Sequence, residues 1–374
     1  MKVLITGADG FVGRNLRQHL AERSGVEVLA FTRAHAPSRL PALVAQADLV
    51  FHLAGVNRPR EVQEFIDGNV SLTAALAEAV RQAALDDGKT IPVVFASSTQ
   101  AALDNPYGRS KREAEACLRA LGEHGIPVHV FRLPNLFGKW CKPHYNSVVA
   151  TFCHSAARGL PLPVSDPGAP LTLVYIDDVV EAFVGLLQGQ PPPCDAQGFA
   201  TVAPHYATTV GALADQIGAF RASRSSLVSE AVGTGLVRAL YATYVSYLPP
   251  ADFAYPLTQH GDARGVFVEF LKTADSGQFS YFTAHPGITR GGHYHHTKTE
   301  KFLVIKGEAL FRFRHVQTGE THTLRTSGGR AEVVETVPGW THDITNVGTD
   351  ELIVMLWANE IFDRTRPDTY ALPL

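Results

Sequence analysis

The chain reads as an α/β protein with a Rossmann-like, doubly wound parallel sheet, followed by an all-β barrel module. Three observations predict this. Strand and helix signals alternate through the first half. A glycine-rich turn, Gly7–Gly13, joins the first strand to the first helix. Helical spacing then vanishes from about Asp252, where short strand patterns follow one another. Strands buried on both faces read as continuous apolar runs, and crossover helices enforce parallel pairing.

Lys2–Thr6 is a short apolar, β-branched run, and Phe11–Glu22 follows with helical spacing. Val26–Phe31 and Asp48–Leu53 are the second and third strands. Ser71–Ala84 is Ala/Leu-rich and helical. Pro92–Ala96 is the fourth strand, Lys111–Leu121 a helix, and Val128–Arg132 the fifth strand. The β half holds strand candidates at Gly265–Leu271, Gln278–Ala284, Lys301–Lys306, Ala309–His315, Ala331–Val337 and Leu352–Leu356. Gly, Asp, Asn and Thr punctuate them, the pattern of a barrel or sandwich. Pro249, Pro250 and Pro256 mark the join near Tyr247–Tyr255. The expected domains are therefore 1–247 and 252–374.

A chain of 374 residues has room for two domains, and 45% hydrophobic against 18% charged residues allows a large core. A formal net charge of −3 gives no reason to expect a nucleic-acid partner. No apolar run approaches the roughly 20 residues of a membrane span, and the N-terminus lacks a signal-peptide layout. Cys117, Cys141, Cys153 and Cys194 fall at unrelated spacings, so the cytoplasm is the expected location.

Gly7, Gly10 and Gly13 follow a strand and open a helix. Glycine permits the tight turn and close approach to a pyrophosphate, which a helix N-terminus favours. An acidic residue at the end of the second strand would bind the ribose hydroxyl of NAD. Here that strand ends at Phe31-Thr32-Arg33, and Arg33 suits the 2′-phosphate of NADP instead. Tyr107 and Lys111 stand at i and i+4, which places them on one helix face after the fourth strand and Ser97-Ser98-Thr99. A nearby ammonium is expected to lower the phenol pKa from about 10. Such a tyrosine can give a proton to a carbonyl while a nicotinamide supplies hydride.

The first roughly 245 residues resemble an extended short-chain dehydrogenase/reductase. The segments that carry this are VLITGADGFVG at Val3–Gly13, FHLAG at Phe51–Gly55, FASSTQ at Phe95–Gln100, YGRSK at Tyr107–Lys111, FRLPNLFG at Phe131–Gly138 and VYIDDV at Val174–Val179. The resemblance implies NADP(H) held by Gly7, Gly10, Phe11, Val12, Gly13, Arg33, Leu53 and Ala54, together with Tyr107 and Lys111. It implies Tyr107 as proton donor, Lys111 as its partner, and Ser98 or Thr99 as the catalytic hydroxyl. Asn135 and Arg132 would meet the substrate, and Asp177 and Asp178 would pin a nearby loop. Thr99 and Tyr107 are closer than is usual in that family, which leaves Ser98 and Thr99 both open.

In the β half, His293 and His295 share one side of a strand, and His296 points away. Glu300 follows across a short turn, and His342 comes later, after Pro338-Gly339. Imidazoles and a carboxylate suit a divalent transition metal. The spacing resembles the two cupin motifs, Gly287, His293, His295, Glu300 and Gly307 in the first and Pro338, His342 and Asn346 in the second. That implies a small β-barrel holding zinc, with nickel, manganese and iron also compatible. Asp262-Ala263-Arg264-Gly265 resembles a turn of cupin-like epimerases acting on nucleotide-linked 4-keto sugars.

In this domain order nearly the whole chain resembles bifunctional capsular-polysaccharide enzymes that join a reductase to a zinc cupin. The resemblance implies a UDP-sugar substrate and a homodimer formed through the cupin. It implies C3 epimerisation of UDP-2-acetamido-2,6-dideoxy-β-L-arabino-hexos-4-ulose, then NADPH reduction at C4 to UDP-2-acetamido-2,6-dideoxy-L-talose. Two alternatives are a reductase with a non-catalytic cupin dimerisation module, and an NADP-binding redox sensor.

Overall fold

A computed structural model of the chain describes residues 1–262, 265–268, 271–273, 277–360 and 365–374. Strands β1 (Lys2–Thr6), β2 (Glu27–Phe31), β3 (Leu49–His52), β4 (Val93–Ser98) and β5 (Val128–Leu133) form one parallel sheet in the order β2-β1-β3-β4-β5. The apolar runs read in the sequence are buried: Val3, Leu4, Ile5, Val50, Phe51, Val93 and Val94 are fully enclosed. Strand order reverses between β1 and β3. In an open α/β sheet ligands bind at that reversal, beyond the carboxyl ends of the strands. The Gly7 turn leaves β1 there, and Leu53-Ala54 leaves β3 beside it.

Helix boundaries moved in one place that matters. The helix expected at Lys111–Leu121 begins earlier and spans Pro106–Arg119. Asn105 caps it, accepting from Gly108 N at 2.7 Å, and Pro106 takes the first turn, where its missing N–H costs nothing. Tyr107 is therefore a helical residue. Gly108 is required here, because a Cβ would lie 2.3 Å from Gln100 O.

Two antiparallel five-stranded sheets make up the β half. One pairs, in order, Ala254–Pro256, Glu332–Glu335, Glu300–Lys306, Leu352–Ala358 and Gln278–Ala284. The other pairs Thr321–Ser327, Glu308–His315, Trp340–Asn346, Thr289–Tyr294 and Tyr370–Ala371. The strand expected at Gly265–Leu271 is described as Gly265–Val268, since residues 269–270 lie outside the described residues. In the turn at 262–265, Ala263 and Arg264 also lie outside them.

Two compact units result: residues 1–147 with 171–207, and residues 148–170 with 208–374. The division differs from the join expected near residues 247–255. Helices Val148–Ala157, Val210–Ser226 and Gly235–Val245 pack on one another and belong with the β strands. A buried charge cluster explains the grouping. Glu335, 3% exposed, pairs with Lys301 and Arg224 and accepts from Tyr241 Oη at 3.5 Å. Burial disfavours both charges, yet their mutual attraction holds Lys301 well above its ordinary pKa and Glu335 below. Arg224 and Tyr241 sit on helices, Lys301 and Glu335 on strands.

Candidate active site and candidate metal centre

The glycine turn is built for close approach. Gly7 has φ +67°, and a Cβ on it would sit 2.7 Å from Ala54 Cα. A Cβ on Gly13 would lie 2.3 Å from Gly7 O. Gly10 is the N-cap of the Phe11–Ala21 helix and offers no side-chain cap, so the first-turn amides face outward for an anion. Leu53 N donates to Thr6 O at 3.2 Å and Ala54 N to Thr6 Oγ1 at 3.3 Å, which fixes the β3 exit against the turn. Arg33 is exposed in the turn after β2, where no carboxylate stands. These residues fit a dinucleotide.

Ser98 ends β4, and its Oγ accepts from Gln100 N at 3.2 Å. Thr99 begins a 3-10 turn and is exposed. Burial raises the Tyr107 pKa, with Ser98 pulling the other way. This corrects the expectation that Lys111 lowers it. Lys111 is 4% exposed; its ammonium donates to Ala96 O at 2.8 Å and lies 4.3 Å from the centre of the Phe95 ring. Burial brings its pKa down to about 8 against the pull of Glu115. Phenol and ammonium thus share a helix face, but the ammonium bonds to Ala96 O.

Arg132 also has a different place from the one expected. It forms a bidentate pair with Glu115, at 3.0 and 2.6 Å, and lies 3.6 Å from the centre of the Phe199 ring. Ser97 Oγ donates to the same carboxylate at 2.5 Å. A guanidinium held this way braces β5 and β4 against the Pro106–Arg119 helix rather than reaching for substrate. Asn135 is exposed at the end of the sheet, donating to Thr172 O at 3.2 Å. Asp177 receives Lys139 Nζ at 2.6 Å, and Lys139 is 1% exposed; this pair pins the Gly138–Trp140 loop, as expected of Asp177. Asn69, not singled out by the sequence, bridges Val56 and Ser110 from inside a π-helical turn, Ile66–Ser71.

The second cluster gathers His293, His295, Glu300 and His342, whose ligand atoms lie within 4.8 Å of one another. His293 stands directly opposite His342 across the Thr289–Tyr294 and Trp340–Asn346 strands. Glu300 comes from the other sheet, as the first residue of Glu300–Lys306. Its Oε2 lies 3.2 Å from His295 Nε2 and 3.6 Å from His342 Nε2. His296 turns away as expected, packing edge-on against Tyr294 and Tyr370. Burial and the neighbouring imidazoles push the His293 pKa down to about 3, and burial lowers that of His342. Burial alone would raise Glu300, but His295 and His342 hold it well below the usual carboxylate range. Three imidazoles around a carboxylate form a donor set that fits a divalent transition metal. Asp368, which the sequence reading missed, packs against this cluster; no local motif marks it.

A glycine-rich turn at the strand-order reversal of a parallel sheet, with Tyr107 and Lys111 on one helix face after β4, is the arrangement of the nicotinamide-using, doubly wound class. The chain belongs to the NAD dependent epimerase/dehydratase family, whose model matches residues 3–193. Residues 260–370 match a polysaccharide biosynthesis C-terminal domain. A Pseudomonas aeruginosa relative named UDP-2-acetamido-2,6-beta-L-arabino-hexul-4-ose reductase is 59% identical over 372 residues, 99% of this chain and 98% of the relative. The crystal structure of capsular polysaccharide assembling protein CapF from Staphylococcus aureus is 42% identical, with TM-score 0.69 and full coverage of both chains. A CapF structure with the inhibitor 3-isopropenyl-tropolone is 38% identical, with TM-score 0.62 and full coverage of both chains. Among the described residues no helix is long and apolar enough to cross a membrane.

Proposed function

We propose that the chain is a bifunctional nucleotide-sugar enzyme of surface-polysaccharide synthesis. Its C-terminal module, a metal-binding cupin, inverts C3 of UDP-2-acetamido-2,6-dideoxy-β-L-arabino-hexos-4-ulose. Its N-terminal module then reduces the C4 ketone, giving UDP-2-acetamido-2,6-dideoxy-L-talose. The observation that carries the reductase half is Tyr107 and Lys111 on one face of the helix that follows Ser98 and β4, in a chain 59% identical over 372 residues to a relative named as a 4-ulose reductase.

NADPH held at the Gly7–Gly13 turn and Arg33 would supply the two electrons as hydride. Ser98 orients the ketone oxygen, and Tyr107 gives that oxygen its proton, so C=O becomes CH–OH. A raised phenol pKa suits this direction, since the residue must arrive protonated. Arg33 is the residue for the 2′-phosphate. Arg33→Ala is expected to raise KM for NADPH about tenfold while leaving KM for NADH nearly unchanged, about the 1–2 kcal/mol of a charge-assisted contact. Steady-state kinetics with both cofactors checks this, and equal effects would remove Arg33 from the cofactor site.

The C4 ketone acidifies the proton on C3. A metal at the His/Glu cluster would polarise the ketone as a Lewis acid. His293, His295, Glu300 and His342 would hold it, and zinc is the expected ion. Reduction removes the ketone, so epimerisation must come first. The same reading includes a homodimer through the C-terminal module. The test is NMR of the purified chain with the UDP-4-keto sugar in deuterated water without NADPH. Deuterium entering at C3 supports the epimerase; an unlabelled C3 after overnight incubation counts against it.

A further inference from the structure

Between the cluster residues His295 and Glu300 runs a short turn, and it is held by a segment far away in sequence. Asp368 Oδ1 accepts from His296 N at 2.9 Å. Its Oδ2 accepts from Thr297 N at 2.6 Å, Lys298 N at 2.7 Å and Thr297 Oγ1 at 2.9 Å. One carboxylate thus satisfies three consecutive amides of the turn. The main-chain carbonyl of the same residue bonds His295 Nδ1. A carbonyl only accepts, so Nδ1 carries a proton there, and Nε2 is the ring atom left for the cluster. Nε2 is the atom that faces Glu300.

The next residue acts on Glu300. Thr369 Oγ1 accepts from Lys298 Nζ at 3.1 Å, and that ammonium lies 3.6 Å from Glu300 Oε1. Oε1 therefore faces a cation, while Oε2 faces His295 and His342. Around them the segment is docked as an edge strand: Tyr370 pairs with Tyr294, Ala371 with His293, and Leu372 N donates to Gly292 O at 2.8 Å.

We propose that Asp368 and Thr369 are positioning residues of the metal centre, selecting Nε2 of His295 and a single oxygen of Glu300 as the atoms offered to a divalent transition metal. This rests on the reading of the cluster as a metal site. Outer-shell partners of metal ligands typically govern about 10–100-fold in affinity.

The test uses the full chain and its variants Asp368→Ala and Thr369→Val. Zinc affinity is measured by competition with a chromophoric chelator, the visible spectrum is recorded after cobalt loading, and NADPH binding serves as the control for folding. The expected result is zinc binding weakened about 10–100-fold in Asp368→Ala and several-fold in Thr369→Val. The cobalt spectrum should also change in Asp368→Ala, with NADPH affinity kept within about twofold. Zinc affinity within twofold of the parent in both variants, with an unchanged cobalt spectrum, overturns the proposal. A parent chain that binds neither metal overturns the metal reading itself, a distinguishable failure.

Discussion

Tyr107→Phe should lower kcat for NADPH-dependent reduction by about 10²–10⁴-fold, the usual contribution of a positioned general acid. That corresponds to about 3–5 kcal/mol of barrier. The ring stays, so its packing against Phe65 at 5.7 Å between centroids is kept and the fold is undisturbed. Only the phenolic hydroxyl is lost. KM for NADPH should hold, because the glycine turn and Arg33 are untouched. Deuterium exchange at C3 should proceed at the parent rate, since the His/Glu cluster belongs to the other module. Stopped-flow absorbance at the NADPH band checks the reduction. A kcat within tenfold of the parent would take Tyr107 out of the proton-donor role.

His295→Ala should have the opposite pattern. The substitution removes the imidazole whose Nε2 lies 3.2 Å from Glu300 and frees the Asp368 carbonyl. Zinc affinity should fall by more than about 100-fold, beyond the range of outer-shell changes, and C3 exchange should fall with it. Reduction of a sugar already inverted at C3 should continue. Metal analysis after gel filtration checks the first part. A full complement of metal in this variant would exclude His295 as a ligand.

Much of this architecture is written in local pattern. The apolar runs of β1, β3 and β4 are unambiguous because they are buried on both faces, while β2 at the sheet edge is half-buried. Tyr107 and Lys111 are legible because a helix brings i and i+4 together, and His293 with His295 because a strand brings i and i+2 together. What escaped has physical causes. The strands Thr321–Ser327 and Trp340–Asn346 are rich in Thr, His, Asp and Asn, the first because it is a largely exposed edge strand and the second because it buries polar side chains. Their composition resembles turns. The start of the Pro106–Arg119 helix was hidden by Asn105-Pro106, a pair that reads equally as a loop. The Lys111 effect on Tyr107 was misjudged because spacing gives proximity, not bonding partners. Asp368 stands 73 residues from His295, and only the folded chain brings them together.

The Glu335 cluster bears on how the chain can be divided. By sequence, the β module looks like a cassette separable at the prolines near residue 250. A fragment starting there would keep Lys301 beside Glu335 but lose Arg224 and Tyr241, leaving a carboxylate tuned for two cations with one. The helices between residues 208 and 245, which the sequence places in 1–247, group with the β strands instead. Any transplant of the β module into another protein would have to carry them along.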